Sequence, residues 1–139
     1  MLIKSSRQGH HVNLEKITRE NADFRRVLYT GKSMQLVLMC LAPSEEIGLE
    51  THPENDQFFR FETGEGKVVV NEFEYPVGDG DSVIVPMGAQ HNVINLSGTE
   101  PLKFYTIYSP AHHEDRTVHK TKAEAEKDEE EYDGKVSEG

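Results

Sequence analysis

The sequence has little of several things that common classes of protein need. It contains one cysteine and no tryptophan among 139 residues. A single cysteine excludes an internal disulfide framework and a zinc site built from several cysteines. Hydrophobic residues make up 35% of the chain, below the roughly 45–50% that is usual in globular proteins. We therefore expect a small core, and a chain of this length fits one ordinary domain.

Long hydrophobic runs and basic residues are also scarce. The longest apolar run, Leu36 to Ala42, is well short of the roughly 18–20 residues that cross a bilayer. Residues 1–10 are polar and contain no apolar signal segment. The 15 Lys and Arg residues face 25 Asp and Glu, which gives a net charge of -10. Nucleic acids and anionic membranes attract a surplus of bases, so we expect neither as a partner, and we expect a cytoplasmic protein.

Negative charge is concentrated at the C-terminus. Residues 121–139 carry eight acids and three lysines, with strong helix formers and few apolar residues between Thr121 and Glu131. This composition predicts a short solvated helix or a disordered tail, with docking of a partner as the alternative. We divide the chain into a body, residues 1–120, and an acidic tail, residues 121–139.

The body is predicted to be all-β. Short apolar or aromatic runs alternate with turn residues about every ten positions, which is typical of a sandwich or barrel. Asn71 and Glu72 are predicted to form a hairpin turn. The predicted strands cover residues 26–29, 34–41, 58–61, 68–70, 73–77, 83–85, 91–95 and 102–108.

The strand from Met34 to Leu41 is apolar on both faces. Residues two apart share a face, so Leu36, Leu38 and Cys40 share one face and the residues between them share the other. A small barrel has one interior, and we expect the outer apolar face, with Phe58, to be covered by a second copy in a homodimer. Cys40 is expected to behave as a small hydrophobe.

Four side chains with metal-binding atoms lie near the beginnings of predicted strands. Glu50 and His52 are two apart and share a face. Gln57 begins the next strand, and a turn at residues 86–90 leads into His91. The mouth of a barrel would bring all four together.

Two spaced motifs in the body resemble those of the cupins. The second cupin motif, G-x5-P-x-G-x2-H-x3-N, is matched at every defined position by Gly80, Pro86, Gly88, His91 and Asn95. The resemblance covers roughly residues 34–108. It implies a jelly-roll barrel, also called a double-stranded β-helix.

The first cupin motif, G-x5-H-x-H-x(3 or 4)-E-x6-G, is matched in its spacing but at two of its five positions. His52 and Gly64 agree with the motif, whereas Ser44 stands at the first glycine, Glu50 at the first histidine and Gln57 at the glutamate. One carboxylate is thus kept, but it has moved from the third ligand place to the first.

The resemblance implies a site for one divalent metal per chain, held by Glu50, His52, Gln57 and His91. Two imidazoles and a carboxylate suit non-haem iron(II), and manganese, zinc and nickel accept the same set. We expect Glu50 to be neutralised by the metal or to act as a catalytic acid or base, because an interior carboxylate without a cation is costly. Two alternatives stay open: a barrel that binds no metal, and Glu54 as the first ligand.

Other polar residues follow in the last strand and after it. Tyr105 and Tyr108 have opposite parity, so one of them faces inward. We predict Tyr105 to be catalytic, as a proton donor beside the metal; the alternative is a tyrosine that only packs in the barrel. His112, His113 and His119 are predicted to lie in a solvated loop, or alternatively in a lid over the barrel mouth.

The function implied by the resemblance is enzymatic. The histidine and glutamine pattern is similar to that of cupins acting on sugar acids and other carbohydrate derivatives, which favours isomerase or lyase chemistry on a small oxygenated metabolite. A non-haem metal dioxygenase is one alternative. A cupin that binds a small ligand without turnover is another, since one fold hosts many functions.

Overall fold

Two antiparallel sheets dominate the computed structural model, which describes residues 7–139; residues 1–6 of the predicted body lie outside this description. The elements in chain order are α1 (Leu14–Glu20), β1 (Arg25–Thr30), β2 (Gln35–Leu41), β3 (Glu50–Thr51), β4 (Asp56–Thr63), β5 (Gly66–Val70), β6 (Phe73–Val77), β7 (Ser82–Val85), β8 (Gln90–Asn95), β9 (Leu102–Ser109), β10 (Val118–His119) and α2 (Lys122–Lys127). The strand orders are β10-β1-β2-β9-β4-β7 and β3-β8-β5-β6. The predicted all-β class is confirmed.

The predicted strands all occur, with ends within two residues of those expected. Val70 pairs with Phe73 across the predicted two-residue turn. Asn71 in that turn has a φ of 53°, the left-handed conformation that tight hairpins require. The strand pattern of the body was therefore readable from turn residues and apolar runs.

The helix α1 was not predicted. It begins after Asn13, whose side chain accepts a hydrogen bond from the Lys16 backbone N–H, and an Asn cap before a leucine is a recognisable start signal. The helix packs against β4 and β9. The sequence therefore contains a readable start signal for this helix, which packs on the larger sheet. Neither helix in residues 7–139 is long and apolar enough to cross a membrane.

The outer apolar face of β2 is covered within one chain. Leu36 and Leu38 are 9% and 0% exposed, and Val12 and Leu14 of the N-terminal segment lie with Leu36 around one groove. The argument that this face requires a second copy is therefore wrong, and the homodimer itself stays a prediction. Cys40 is half-buried, and burial raises the pKa of its thiol, which disfavours a nucleophilic thiolate.

The core lies between the two sheets. Phe59 and Phe61 of β4 are fully buried and share the inward face with Gln57, as their parity predicted. Val68 and Val93 close the core from the smaller sheet. The inward face of β4 therefore runs from apolar core residues to a polar residue at one end of the barrel.

The acidic tail differs from the prediction after its first turns. The short helix is confirmed as α2, in which no residue is buried. Beyond it the chain packs back on the body: the Ser137 backbone N–H donates to the Thr30 carbonyl at 2.9 Å, and the Thr30 N–H donates to Ser137 Oγ at 2.8 Å. The disordered-tail alternative therefore does not describe Ser137, which is in hydrogen-bond contact with β1.

Two glycines of the cupin-like motifs are needed for different structural reasons. Gly64 has a φ of +104°, and a Cβ added there would lie 2.6 Å from the Pro101 carbonyl oxygen and 2.9 Å from Leu102 Cα. Gly80 has a φ of +88°, but a Cβ there would meet no described atom within 4 Å. Gly80 is needed for its backbone conformation alone, whereas Gly64 also allows two segments of backbone to approach.

We predict that Gly64→Ala destabilises the protein more than Gly80→Ala. The left-handed conformation costs an alanine roughly 1 kcal/mol at either position, and the backbone clash at Gly64 should bring its total cost to about 3 kcal/mol. Urea unfolding of both variants measures the free energies. Equal losses of stability would show that the close approach at Gly64 carries no energetic cost.

Candidate functional site

Three side chains with metal-binding atoms converge at one end of the barrel. The ligand atoms of Glu50, His52 and His91 all lie within 4.8 Å of one another. Pairing of β3 with β8 places Glu50 directly opposite His91, and His52 follows β3 immediately. The structure therefore brings together three of the four side chains that the sequence predicted as ligands, through one short antiparallel pairing.

Glu50 and His52 are in close contact within this cluster. Glu50 Oε2 lies 2.9 Å from His52 Nε2, yet the two atoms are not aligned as a hydrogen bond, and Nε2 has no hydrogen-bond partner among the described residues. Burial raises the pKa of Glu50, but His52, Arg25 and His91 outweigh that effect and hold this pKa below its usual value. Glu50 is thus an anion whose oxygen and a neighbouring imidazole nitrogen point toward a common space.

His91 is prepared to offer one ring nitrogen. Its Nδ1–H donates to the carbonyl oxygen of Ala89 at 3.2 Å, which leaves Nε2 as the free nitrogen. Burial is the main reason that the pKa of His91 lies below its usual value. A neutral imidazole with its second nitrogen tied to a carbonyl is the form in which histidine binds metals.

The fourth predicted ligand, Gln57, has an unsatisfied buried oxygen. Its Nε2 donates to Thr106 Oγ1 at 2.9 Å, while Oε1 is buried without a hydrogen-bond partner among the described residues. Gln57 is paired with Tyr108, whose ring centre is 5.7 Å from that of His52. An unpaired buried carbonyl costs roughly 1–3 kcal/mol, a cost that a bound cation would remove. The donor set therefore fits a divalent metal ion.

Glu54, the alternative first ligand, does not belong to this cluster. It is exposed in the turn that follows His52, whereas Glu50 lies among the converging atoms. The parity argument for Glu50 was sufficient here, because β3 is extended through Glu50 and Thr51.

Tyr105 is not at the site, and its predicted catalytic role lacks support in the geometry. On β9 the buried residues alternate with partly exposed ones, and Tyr105 belongs to the partly exposed set. Its ring lies 6.3 Å from that of Phe58, on the outside. Tyr108 is the inward tyrosine. The sequence held the signal, because Tyr108 shares its parity with Leu102 and Phe104, the most apolar face of that strand.

His112 also lies at the site, which the solvated-loop prediction missed. Its ring centre is 4.3 Å from that of His52 and 5.2 Å from that of Tyr108. Burial, followed by the nearby His113 and His52, lowers the pKa of His112 to about 4. The alternative of a lid, formed by residues 111–120 over the barrel mouth, agrees with this position of His112.

A buried glutamine fixes the position of this lid. Gln35 is fully buried at the start of β2, and its Oε1 accepts the backbone N–H groups of His112 and His113 at 3.2 and 3.0 Å. Its Nε2 donates to Thr30 Oγ1 and to the His113 carbonyl. Three of these four bonds reach the lid and the fourth reaches Thr30 of β1, so one side chain holds the lid on the barrel. No sequence pattern around Gln35 indicates this function.

The acidic tail satisfies the two remaining lid histidines. His113 Nδ1 lies 2.6 Å from Glu130 Oε1, and its Nε2 lies 3.2 Å from the Tyr108 hydroxyl. His119 Nε2 donates to Asp128 at 2.9 Å, because its Nδ1 accepts from the Arg25 guanidinium, which can only donate. These histidines have structural partners and are not free to bind a metal, unlike His52 and His91.

A cleft opens beside the cluster. The lid and the tail both contribute to it. It is lined by Thr51, His52, Pro53, Glu54, Asn55, Pro110, Ala111, His112, Glu131 and Tyr132. A small molecule in this cleft would touch His52 and His112 directly, so the cleft is the natural approach to the candidate metal centre.

Comparison with curated proteins finds relatives of unknown function. An uncharacterised protein, YrkC of Bacillus subtilis (strain 168), is 47% identical over 120 residues, which cover 82% of this chain and 64% of that protein. The chain thus matches under two thirds of that relative's length. An uncharacterised protein of Acanthamoeba polyphaga mimivirus is 40% identical over 115 residues, covering 81% of this chain and 72% of the other.

A solved structure agrees closely with the fold described here. The crystal structure of the BH2720 protein from Bacillus halodurans is 41% identical and superposes with a TM-score of 0.85, covering 88% of this chain and 97% of the other. The sequence profile of the Cupin domain family matches residues 37–108, a range that contains both motifs and the three clustered ligands. The predicted resemblance is thereby confirmed, and the chain belongs to the cupin family.

Proposed function

We propose that this protein is a metal-dependent enzyme that acts on a small oxygenated metabolite by isomerase or lyase chemistry. The observation that carries the proposal is the convergence of Glu50, His52 and His91 within 4.8 Å, beside an open cleft that His52 lines. A partly buried carboxylate and two buried imidazoles in one place would be stabilised by a cation bound between them.

The chain's own side chains would hold one divalent ion, of iron, manganese, zinc or nickel. His52 and His91 would bind through Nε2, Glu50 through its carboxylate and Gln57 through Oε1. Such an ion would polarise two neighbouring oxygens of the substrate as a Lewis acid. Glu50 lies in β3, His52 follows it directly and His91 lies in β8, and His52 also lines the cleft through which a substrate would approach.

His112 is placed to move a proton. Its ring packs against His52 in the cleft, and with a pKa of about 4 it is neutral at pH 7. A neutral imidazole can accept a proton from carbon or oxygen of a bound substrate and return it elsewhere, as isomerisation requires. Burial raises the pKa of Tyr108, so its phenol stays protonated and is available to donate to His113. We assign to His112 the acid–base role first expected of Tyr105.

A dioxygenase is the second candidate, favoured by the ligand set. Two histidines and one carboxylate form the facial arrangement of non-haem iron enzymes. An experiment in heavy water under argon distinguishes the two candidate functions. An isomerase or lyase acting on a panel of sugars should exchange the proton next to the carbonyl for deuterium without oxygen, measured by NMR, whereas a dioxygenase should consume oxygen and show no anaerobic exchange.

We predict that His52→Ala and His91→Ala each abolish metal binding while the barrel stays folded, because each leaves at most one nitrogen ligand. Glu50→Gln should weaken binding at least ten-fold, roughly the loss seen when a metal shell is disturbed. Gln57→Ala should weaken it less, because an amide oxygen carries no charge. Elemental analysis and competition with a chelator measure these affinities.

The control for this series is His11→Ala, since His11 is exposed and belongs neither to the cluster nor to the cleft lining. Metal retained by the His91→Ala variant and lost from the Gln57→Ala variant would contradict the ligand assignment.

We predict that His112 titrates near pH 4 in the metal-free protein, against about 6.5 in the unfolded chain. The unfolded state then binds the proton first, so the free energy of unfolding should fall as pH drops from about 6.5 to 4. His112→Asn should lose this part of the pH dependence, and His11→Asn should keep it. NMR titration of the imidazole and urea unfolding at pH 7 and pH 5 test this prediction. An NMR titration midpoint of His112 near pH 6.5 would contradict the buried setting of its ring.

A further inference from the structure

We propose that the C-terminal segment 128–132 forms part of the wall of the ligand cleft and makes the site reject anions. The substrate would then be an uncharged or cationic molecule with two neighbouring oxygens, such as a neutral sugar or diol, and not a sugar acid. This inference rests on the proposed metal-dependent function and narrows its substrate class.

The segment is part of the cleft itself. Glu131 and Tyr132 line it together with His52 and His112. His52 is 7% exposed, and its Nε2 has no hydrogen-bond partner among the described residues. A buried nitrogen that contacts the Glu50 carboxylate without a hydrogen bond, beside an open cleft, indicates a place where a ligand or its metal makes contact. The tail residues therefore face the same space as the candidate metal centre.

Hydrogen bonds fix the tail at this place from both sides of Glu131. Glu130 Oε1 lies 2.6 Å from His113 Nδ1, and Glu130 Oε2 accepts the Glu114 N–H at 2.8 Å. The Tyr132 N–H donates to the His112 carbonyl at 3.1 Å. Glu131 lies between these two anchors, so its place at the rim does not depend on its own contacts.

The charges around the cleft are of one sign. Glu54 and Glu131 line it, and none of the described residues that line it is Lys or Arg. The nearby Arg25 is 8% exposed and its guanidinium donates to His119. A divalent ion with Glu50 would leave one positive charge beside that of Arg25, and the two exposed rim carboxylates are the charges that line the cleft itself. A ligand's oxygens can bind at the centre, but a carboxylate extending into the cleft would meet repulsion.

The test measures how two probes bind to the full-length protein loaded with iron(III). Catechol and 3,4-dihydroxybenzoate offer the same pair of oxygens and differ by one carboxylate, and both give a visible charge-transfer band on iron. The quantity of interest is the ratio of their dissociation constants. Comparing this ratio between proteins cancels the different intrinsic affinities of the two probes for iron.

The variant for this test is Glu54→Gln/Glu131→Gln, and Glu20→Gln/Glu72→Gln is the control with the same change in net charge. All four residues are exposed, so neither variant should affect folding. At low salt the cleft variant should bind dihydroxybenzoate roughly five-fold more tightly relative to catechol than the wild type does, and this gain should shrink at high salt because exposed charges are screened. The control should keep the wild-type ratio.

Two results would overturn the inference, and they are distinguishable. If iron loads but the ratio is the same in the cleft variant and the wild type, the tail does not set charge selectivity, although the metal site stands. If elemental analysis shows that iron does not load at all, the proposed function fails and this inference fails with it.

Discussion

The rest of this structure depends on one constraint: a carboxylate lies against an imidazole at the partly closed mouth of the barrel. Glu50 and His52 lie 2.9 Å apart, and burial works against the charged form of Glu50. The fold places His91 opposite Glu50, and it buries an unpaired amide oxygen of Gln57, which pairs with Tyr108. Each of these groups is costly alone in a desolvated place. Together they form a donor set that one cation would satisfy.

The lid and the tail complete the barrel around this site. The histidines of the lid differ in what they contact: His113 and His119 are each paired with a tail carboxylate, whereas His112 packs against His52 in the cleft. The acidic composition that suggests a solvated tail thus has a specific use, because two of its acids anchor the lid. The same folding brings Glu131 to the rim of the cleft, where its charge acts on whatever ligand approaches.

Much of the fold could be predicted because it depends on local rules. Turn residues and strand parity set the strands, and parity alone placed Glu50, His52 and Gln57 on inward faces. Two errors were local, the missed helix α1 and the choice of Tyr105, and the others concern contacts between residues distant in sequence. Tyr105 was favoured over Tyr108 although both parities were open, and the fully buried Gln35, which holds the lid, looks like any polar residue at a strand end. The partners of His113 and His119 lie 17 and 9 residues further along the chain, in a segment whose composition predicts no packing.

The most direct test of this account is a crystal structure of the protein purified without added metal, with anomalous scattering used to identify and place any ion. The account predicts one transition-metal ion per chain, bonded to Nε2 of His52, to Nε2 of His91 and to the carboxylate of Glu50. An ion bound elsewhere, or a cluster that stays empty after soaking with iron, manganese, zinc and nickel, would contradict it.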